Sequence, residues 1–425
     1  TIPPTPAVTR RALRQRNARA VGSGVLTLGA AIAGALLNFV LVVVVGQIYG
    51  AAATGVFFTV VGGFMVCANT LKLGADTGLV RTLAQLSALG RRDDLRPTLV
   101  IALVPVLIAA TVTTGLLWWQ IPLVARALDS DHDVSSIVQA LVPFVPMLSL
   151  LAIVMASTRA LGRVTAFALV QNVFLPLSRL IGVGIAGILG WSILAAARMW
   201  AIGLPLLLLA GVIILQRSLR REAPGHAIWW PPQGRTDSGE LARGFWGFAA
   251  PRGVSAVVEI VLEWADVVLV GILAGTTQAG MYAVATRCVK IAQVVDYAAR
   301  ITVSKRLAGA LALHQLDVVN HIYRIVAQGM VAVVWPFLLT IMVFSGPAIG
   351  LFGSDFADGS RLLVVLGSGM LIASAAGSLQ AVLLLGGLSA RQLINKLVAL
   401  TVCIVGNLLV TPHFGAIGAT GVWCA

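Results

Sequence analysis

Four ionisable residues, Arg252, Glu259, Glu263 and Asp266, stand in one long apolar stretch at spacings of 7, 4 and 3. At about 3.6 residues per turn of helix, these spacings put all four on one stripe. Pro251 opens the stripe, where a kink or flexible point is expected. Arg287 and Lys290, three residues apart, lie in the next apolar stretch at a depth that matches Glu259, so an ion pair is expected there. Lys72 and Asp76 are i,i+4 neighbours, Arg179 and Arg198 mark two further apolar stretches, and Asn38 is the main polar side chain deep in the first. Ionisable groups in such surroundings are costly and ordinarily face a bundle interior or a wet cavity.

The central tally is six bases (Lys72, Arg179, Arg198, Arg252, Arg287, Lys290) against four acids (Asp76, Glu259, Glu263, Asp266). A net basic cavity suits an anionic substrate, and guanidinium groups match phosphate in shape. The bland alternative is that these charges pair off and set helix register. Lys396 is expected to snorkel toward a membrane surface, and Asp296 and Arg300 to form a structural pair at a rim.

The elements that carry these residues follow from composition. Of 425 residues, 58% are apolar and 11% charged, against roughly a quarter charged in soluble proteins. Mean hydropathy is +0.95. So much apolar surface requires lipid as solvent, which excludes a soluble enzyme, a nucleic-acid-binding protein and a disordered chain. Spans of about 20 apolar residues are expected near 21–46, 54–77, 97–119, 136–157, 164–188, 192–215, 244–271, 279–300, 325–346, 361–383 and 392–410. A twelfth begins near 415 and is expected to be truncated. The units are then a basic arm (1–20), a six-helix half (21–215), a linker (216–243) and a second half (244–425).

The net charge of +14 reads as topology. With a cytoplasmic N-terminus, the arm and alternate loops hold 21 of the 30 basic residues, including Arg10, Arg11, Arg91, Arg92, Arg220 and Arg221. The opposite loops hold Arg126 and Arg361 beside Asp129, Asp131, Asp133, Asp355 and Asp358. The expected location is a bacterial cytoplasmic membrane. Cys67, Cys288, Cys403 and Cys424 lie in apolar runs without a CxxC pair, as packed thiols do.

The halves repeat. Gly46, Gly50, Gly55 and Phe57 align with Gly271, Gly275, Gly280 and Tyr282 at a constant shift of 225, and Gly190 and Gly415 share it. Six helices per half give both the same orientation, as in transporters whose halves rock to alternate access. Nucleotide, metalloprotease and hydrolase motifs do not stand out. The acids Asp129, Asp131 and Asp133 would hold a divalent ion in a membrane glycosyltransferase or polymerase, or form a solvated turn.

Gly50-Ala-Ala-Ala-Thr-Gly55-Val-Phe57 and Leu73-Gly74-Ala-Asp76-Thr-Gly78-Leu-Val-Arg81 resemble the first helical hairpin of bacterial polysaccharide flippases. Phe248-Ala-Ala-Pro251, Asp266-Val-Val-Leu-Val-Gly271, Gly280-Met-Tyr282-Ala-Val-Ala285, Leu351-Phe352-Gly353-Ser-Asp-Phe356 and Phe414-Gly415-Ala-Ile-Gly418-Ala419 extend the likeness. Together they are similar to the lipid-linked oligosaccharide branch of the multidrug/oligosaccharidyl-lipid/polysaccharide exporter superfamily. The resemblance implies an all-α, V-shaped membrane protein that moves a polyprenyl-diphosphate-linked oligosaccharide across the bilayer. Arg252, Arg287 and Lys290 would hold the diphosphate, with Lys72, Arg179 and Arg198 around it. Asp266, Glu259, Glu263 and Asp76 would gate, balance charge or couple to protons or sodium. No cofactor is expected, and a polysaccharide polymerase and glycosyltransferases are the expected partners besides membrane lipids. A lipid II flippase shares this fold, as does a cation-coupled multidrug exporter, which favours an acidic centre.

Overall fold

The computed structural model describes residues 7–127, 132–222, 237–313, 315–376, 379 and 389–425. Helices account for the regular structure, with no strand among the described residues. The first half holds α1 (Ala7–Thr70), α2 (Ala75–Ala88), α3 (Leu95–Ala127), α4 (His132–Leu141), α5 (Val145–Ala160), α6 (Val164–Leu169), α7 (Leu175–Ile188), α8 (Ile193–Ala201) and α9 (Gly203–Glu222). The second holds α10 (Ser238–Leu273), α11 (Thr276–Lys290), α12 (Ala292–Ala312), α13 (Leu316–Val343), α14 (Ser345–Gly350), α15 (Gly359–Ala375) and α16 (Ser389–Cys424).

Where the residues are described, each expected span falls on one helix or on two consecutive ones, and the end of the span expected at 361–383 lies outside the described residues. Seven helical stretches, among them Gly24–Ala88, Arg92–Gln120 and Leu316–Val343, are long and apolar enough to cross a membrane, so this is a multi-pass membrane protein. The long helices α1 and α16 are each two arms, divided where Gly50 (φ 73°) and Gly415 (φ 60°) take left-handed angles that only glycine adopts cheaply. Helix α10 falls outside the seven because Glu259, Glu263 and Asp266 interrupt its apolar stretch, and α11 because its 15 residues are too few to cross a membrane alone. Helix α10 runs unbroken through Pro251, and a π-turn over Val170–Phe174 joins α6 to α7.

Three boundaries differ from expectation. The second arm of α1 stops at Thr70, not 77, because Leu73 (φ 53°) and Gly74 (φ 76°) form a left-handed turn. The loop expected next contains α2, whose buried Ala75, Gly78, Leu79, Leu83 and Leu86 recur at helical spacing. The ladder of the span expected at 279–300 is interrupted at Ile291 and continues as α12 to Ala312. The expected arm is, from Ala7, the start of α1. Of the expected linker, residues 223–236 lie outside the described ones.

The halves meet at both ends of the bundle. At one end Gly55 packs on α11 and Gly280 on α1, Gly46 packs on Phe352, and Gln47 Nε2 donates to the Leu351 carbonyl (2.8 Å). At the other, Gly74 packs against the Ala249 carbonyl and Gly253 against that of Leu73. There the Arg81 guanidinium caps the Phe248 ring at 4.1 Å.

Candidate functional site

A polar cavity lies inside the second half. The stripe on α10 supplies Glu259, Glu263 and Asp266, and the facing stripe of α11 supplies Tyr282, Thr286 and Lys290 at four-residue spacing. Gln293 and Trp423 close the space, which measures about 330 Å³.

Asp266 is its buried end. Its carboxylate accepts hydrogen bonds from Cys403 Sγ (3.0 Å) and Asn407 Nδ2 (3.4 Å). Asn407 also donates to the Cys403 carbonyl (2.8 Å), and Thr411 Oγ1 donates to Asn407 Oδ1 (2.8 Å). Residues 403, 407 and 411 follow one stripe of α16, so the carboxylate is held by a relay that a single helix face supplies. The Tyr282 hydroxyl, buried in the same cavity, makes no well-formed hydrogen bond.

The other charges sit nearer the open side. Glu259 Oε1 pairs with Lys396 Nζ at 2.5 Å, joining α10 to α16. Lys290 Nζ donates to the Glu263 carbonyl at 3.2 Å. The Arg287 guanidinium stacks on Trp264, 4.7 Å from the ring centre, and the Glu263 carboxylate attracts both Arg287 and Lys290.

Several expectations are thereby corrected. The partner of Glu259 is Lys396 and not Arg287 or Lys290, and Lys396 reaches inward and does not snorkel. The cavity lining is three acids and one lysine, so it is acidic, not net basic. Arg252 shares the stripe but lies about 10 Å along the axis from Glu259 at 1.5 Å per residue. Its neighbour Gly253 packs on Leu73 at the seam between halves, and Arg252 has no ion pair among the described residues. Lys72 and Asp76 pair with each other at 3.2 Å. Arg179 is buried against Trp200 in the first half, and Arg198 is exposed. The six bases therefore do not share one chamber. Spacing sets the azimuth of a side chain on its helix but not the neighbour it meets, and here the halves close on each other.

Cys403, Asn407 and Thr411, which hold Asp266, are not among the site residues that the sequence points to. Polar side chains at four-residue spacing in an apolar helix were the signal available. The Asp129, Asp131 and Asp133 side chains lie outside the described residues. No cluster of three or more His, Cys, Asp or Glu suited to a metal occurs among the described residues.

No protein-family model matches the sequence, and no curated protein sequence is similar to it. Solved structures are. The chain aligns with a structure described as lipid II flippase MurJ in an inward closed conformation, with a TM-score of 0.73, 13% identity, and coverage of 94% of this chain and 84% of that one. It aligns equally well, at 0.73 and 15% identity over 94% and 93% of the two chains, with an inward-facing multidrug resistance MATE transporter. The fold is similar to that of these two transporters, the second of which is described as a member of the MOP superfamily. A third MOP superfamily transporter, from Pyrococcus furiosus, aligns at 0.59 and 15% identity over 94% and 90% of the chains. Among the described residues, the expected all-α architecture with several membrane spans is present. The polar cavity lies in the second half, and the seam between halves is lined by glycine contacts at both ends.

Proposed function

We propose that the protein is a flippase that carries a polyprenyl-diphosphate-linked oligosaccharide from the cytoplasmic to the outer leaflet by alternating access. One observation carries this reading. Arg179 and Arg252 have no carboxylate within 4 Å among the described residues, and Arg287 has only the longer-range attraction of Glu263, whereas Asp76 and Glu259 are in ion pairs and Asp266 is in a hydrogen-bonded relay. Unpaired guanidinium groups at membrane depth are anion sites in waiting. Arg252 at the seam would meet the diphosphate first when the halves part; Arg287, which stacks on Trp264 about 18 Å further along α10 at 1.5 Å per residue, and Lys290, released from the Glu263 carbonyl, would meet it later on its path. Asp266, Glu259 and Glu263 would serve the coupling of protons or sodium. The N-terminal arginines support a cytoplasmic N-terminus in a bacterial plasma membrane. Polysaccharide polymerases and glycosyltransferases are the proposed partners.

The test is translocation of a fluorescent polyprenyl-diphosphate glycan in proteoliposomes. Arg252→Ala and Arg287→Ala are expected to abolish it while the protein still inserts. Normal translocation by both variants removes the assignment.

The acidic cavity favours a second reading, a cation-coupled exporter of cationic drugs. Resistance conferred by the protein and lost in Glu263→Gln, with no glycan translocation, would select it.

A further inference from the structure

Arg179 lies on the buried face of α7 with Gly182, Val183 and Ala186, and is 5% exposed. Its guanidinium carbon stands 4.0 Å from the ring centre of Trp200. Trp200 is itself held edge-on by Phe57 and Phe64, at 6.3 and 5.6 Å. The surrounding backbone is close-packed. A methyl group at Gly182 would fall 2.3 Å from the Met199 carbonyl oxygen, and one at Gly203 would fall 2.7 Å from Ser178 Oγ.

Stacking on Trp200 occupies the face of the guanidinium and leaves its in-plane donors to find other partners. Arg179 Nε and Nη2 are both buried with no hydrogen-bond partner. A guanidinium does not lose its proton in a protein, and a buried cation with unmet donors is strongly disfavoured without a counter-charge. The two unmet donors share one edge of the guanidinium. Their N–H bonds run parallel, which is the fork that accepts two oxygens of one phosphate or carboxylate.

We propose that Arg179 and Trp200 form an oxyanion-binding site inside the first half, in which the tryptophan ring holds the face of the guanidinium and its Nε–Nη2 edge grips a phosphate or carboxylate group. The site is separate from the cavity of α10 and α11, whose lining includes no residue of α7 or α8. The shared chemistry is a two-oxygen anion, supplied by free inorganic phosphate or by the headgroup of a membrane lipid phosphate.

Binding is read on purified protein, so its outcome stands whether or not the transport reading holds. Protein in detergent is titrated at constant ionic strength with sodium phosphate, sodium acetate and sodium chloride, and separately with a short-chain polyprenyl monophosphate. Melting temperature and tryptophan emission are followed. Phosphate or the lipid phosphate is expected to act saturably on both, with chloride at least about tenfold weaker because it lacks the paired oxygens. Saturation by inorganic phosphate assigns a soluble source, and saturation by the lipid phosphate alone assigns a membrane source. Arg179→Lys keeps the charge but loses the fork, and is expected to weaken binding about tenfold or more. The proposal is overturned if neither phosphate acts saturably on the unmodified protein, or if Arg179→Lys binds as well. Should that variant not fold, equal potency of chloride and phosphate on the unmodified protein overturns it equally.

Discussion

Gly55 and Gly280 are each other's counterparts across the seam between the halves. A methyl group on Gly55 would fall 1.6 Å from the Thr276 carbonyl oxygen, and one on Gly280 would fall 2.1 Å from that of Ala51. The shift that relates 55 to 280 also relates 51 to 276, so the contact maps onto itself under the internal repeat. That is the signature of two parallel repeats around a common axis. Backbones this close leave no room for a side chain, which is why the repeat shows itself in glycines.

Replacing either glycine by alanine should therefore have matched effects. Gly55→Ala and Gly280→Ala are each expected to cost about 1–3 kcal/mol by overpacking. Thermal denaturation in detergent measures this, and an effect in only one of the two would contradict the symmetry.

The Glu259–Lys396 pair joins α10 to α16 beside the cavity. Lys396→Glu should impair transport by placing like charges together, and the exchanged pair Glu259→Lys with Lys396→Glu should restore part of it. Because the Glu259 side chain is 44% exposed, the coupling energy from a double-mutant cycle should be modest, about 1 kcal/mol or less.

Asp266 depends on donors from α16. Asn407→Leu removes one donor to the carboxylate and the acceptor of Thr411. A destabilisation of about 1–3 kcal/mol is expected, the usual result of leaving buried polar groups unmet. Asp266→Asn should fold, yet transport by it should no longer respond to an imposed proton or sodium gradient. A retained gradient response would place coupling elsewhere.

At the opposite end of the seam, Arg81 on α2 caps Phe248 on α10. Phe248→Ala removes an exposed cation–π contact of about 0.5–1 kcal/mol. Labelling of a cysteine introduced at Thr82, half-buried in the cleft beside Phe248, should rise about two- to fivefold as the halves part more often, following from that energy. Unchanged labelling would show that the glycine contacts alone hold this end.

Much of the architecture was legible in the residue order. Apolar runs located each span because hydrocarbon demands a continuous apolar helix whatever the neighbours. The 225-residue shift relates Gly55 to Gly280, which the structure brings into one contact, and the 7-4-3 spacing put Glu259, Glu263 and Asp266 on one face of α10, where they line one cavity. What the order of residues left open was partnership. Glu259 had Arg287, Lys290 and Lys396 within conceivable reach, and only the packing of α16 onto α10 selected Lys396. Cys403, dismissed as a packed thiol, became a donor to Asp266 for the same reason. Arg179 was grouped with the other bases, and the fold set it apart against Trp200. Periodicity is a property of one helix and survives in the sequence. A contact between helices belongs to two distant segments at once, and is decided only when close packing chooses which faces meet.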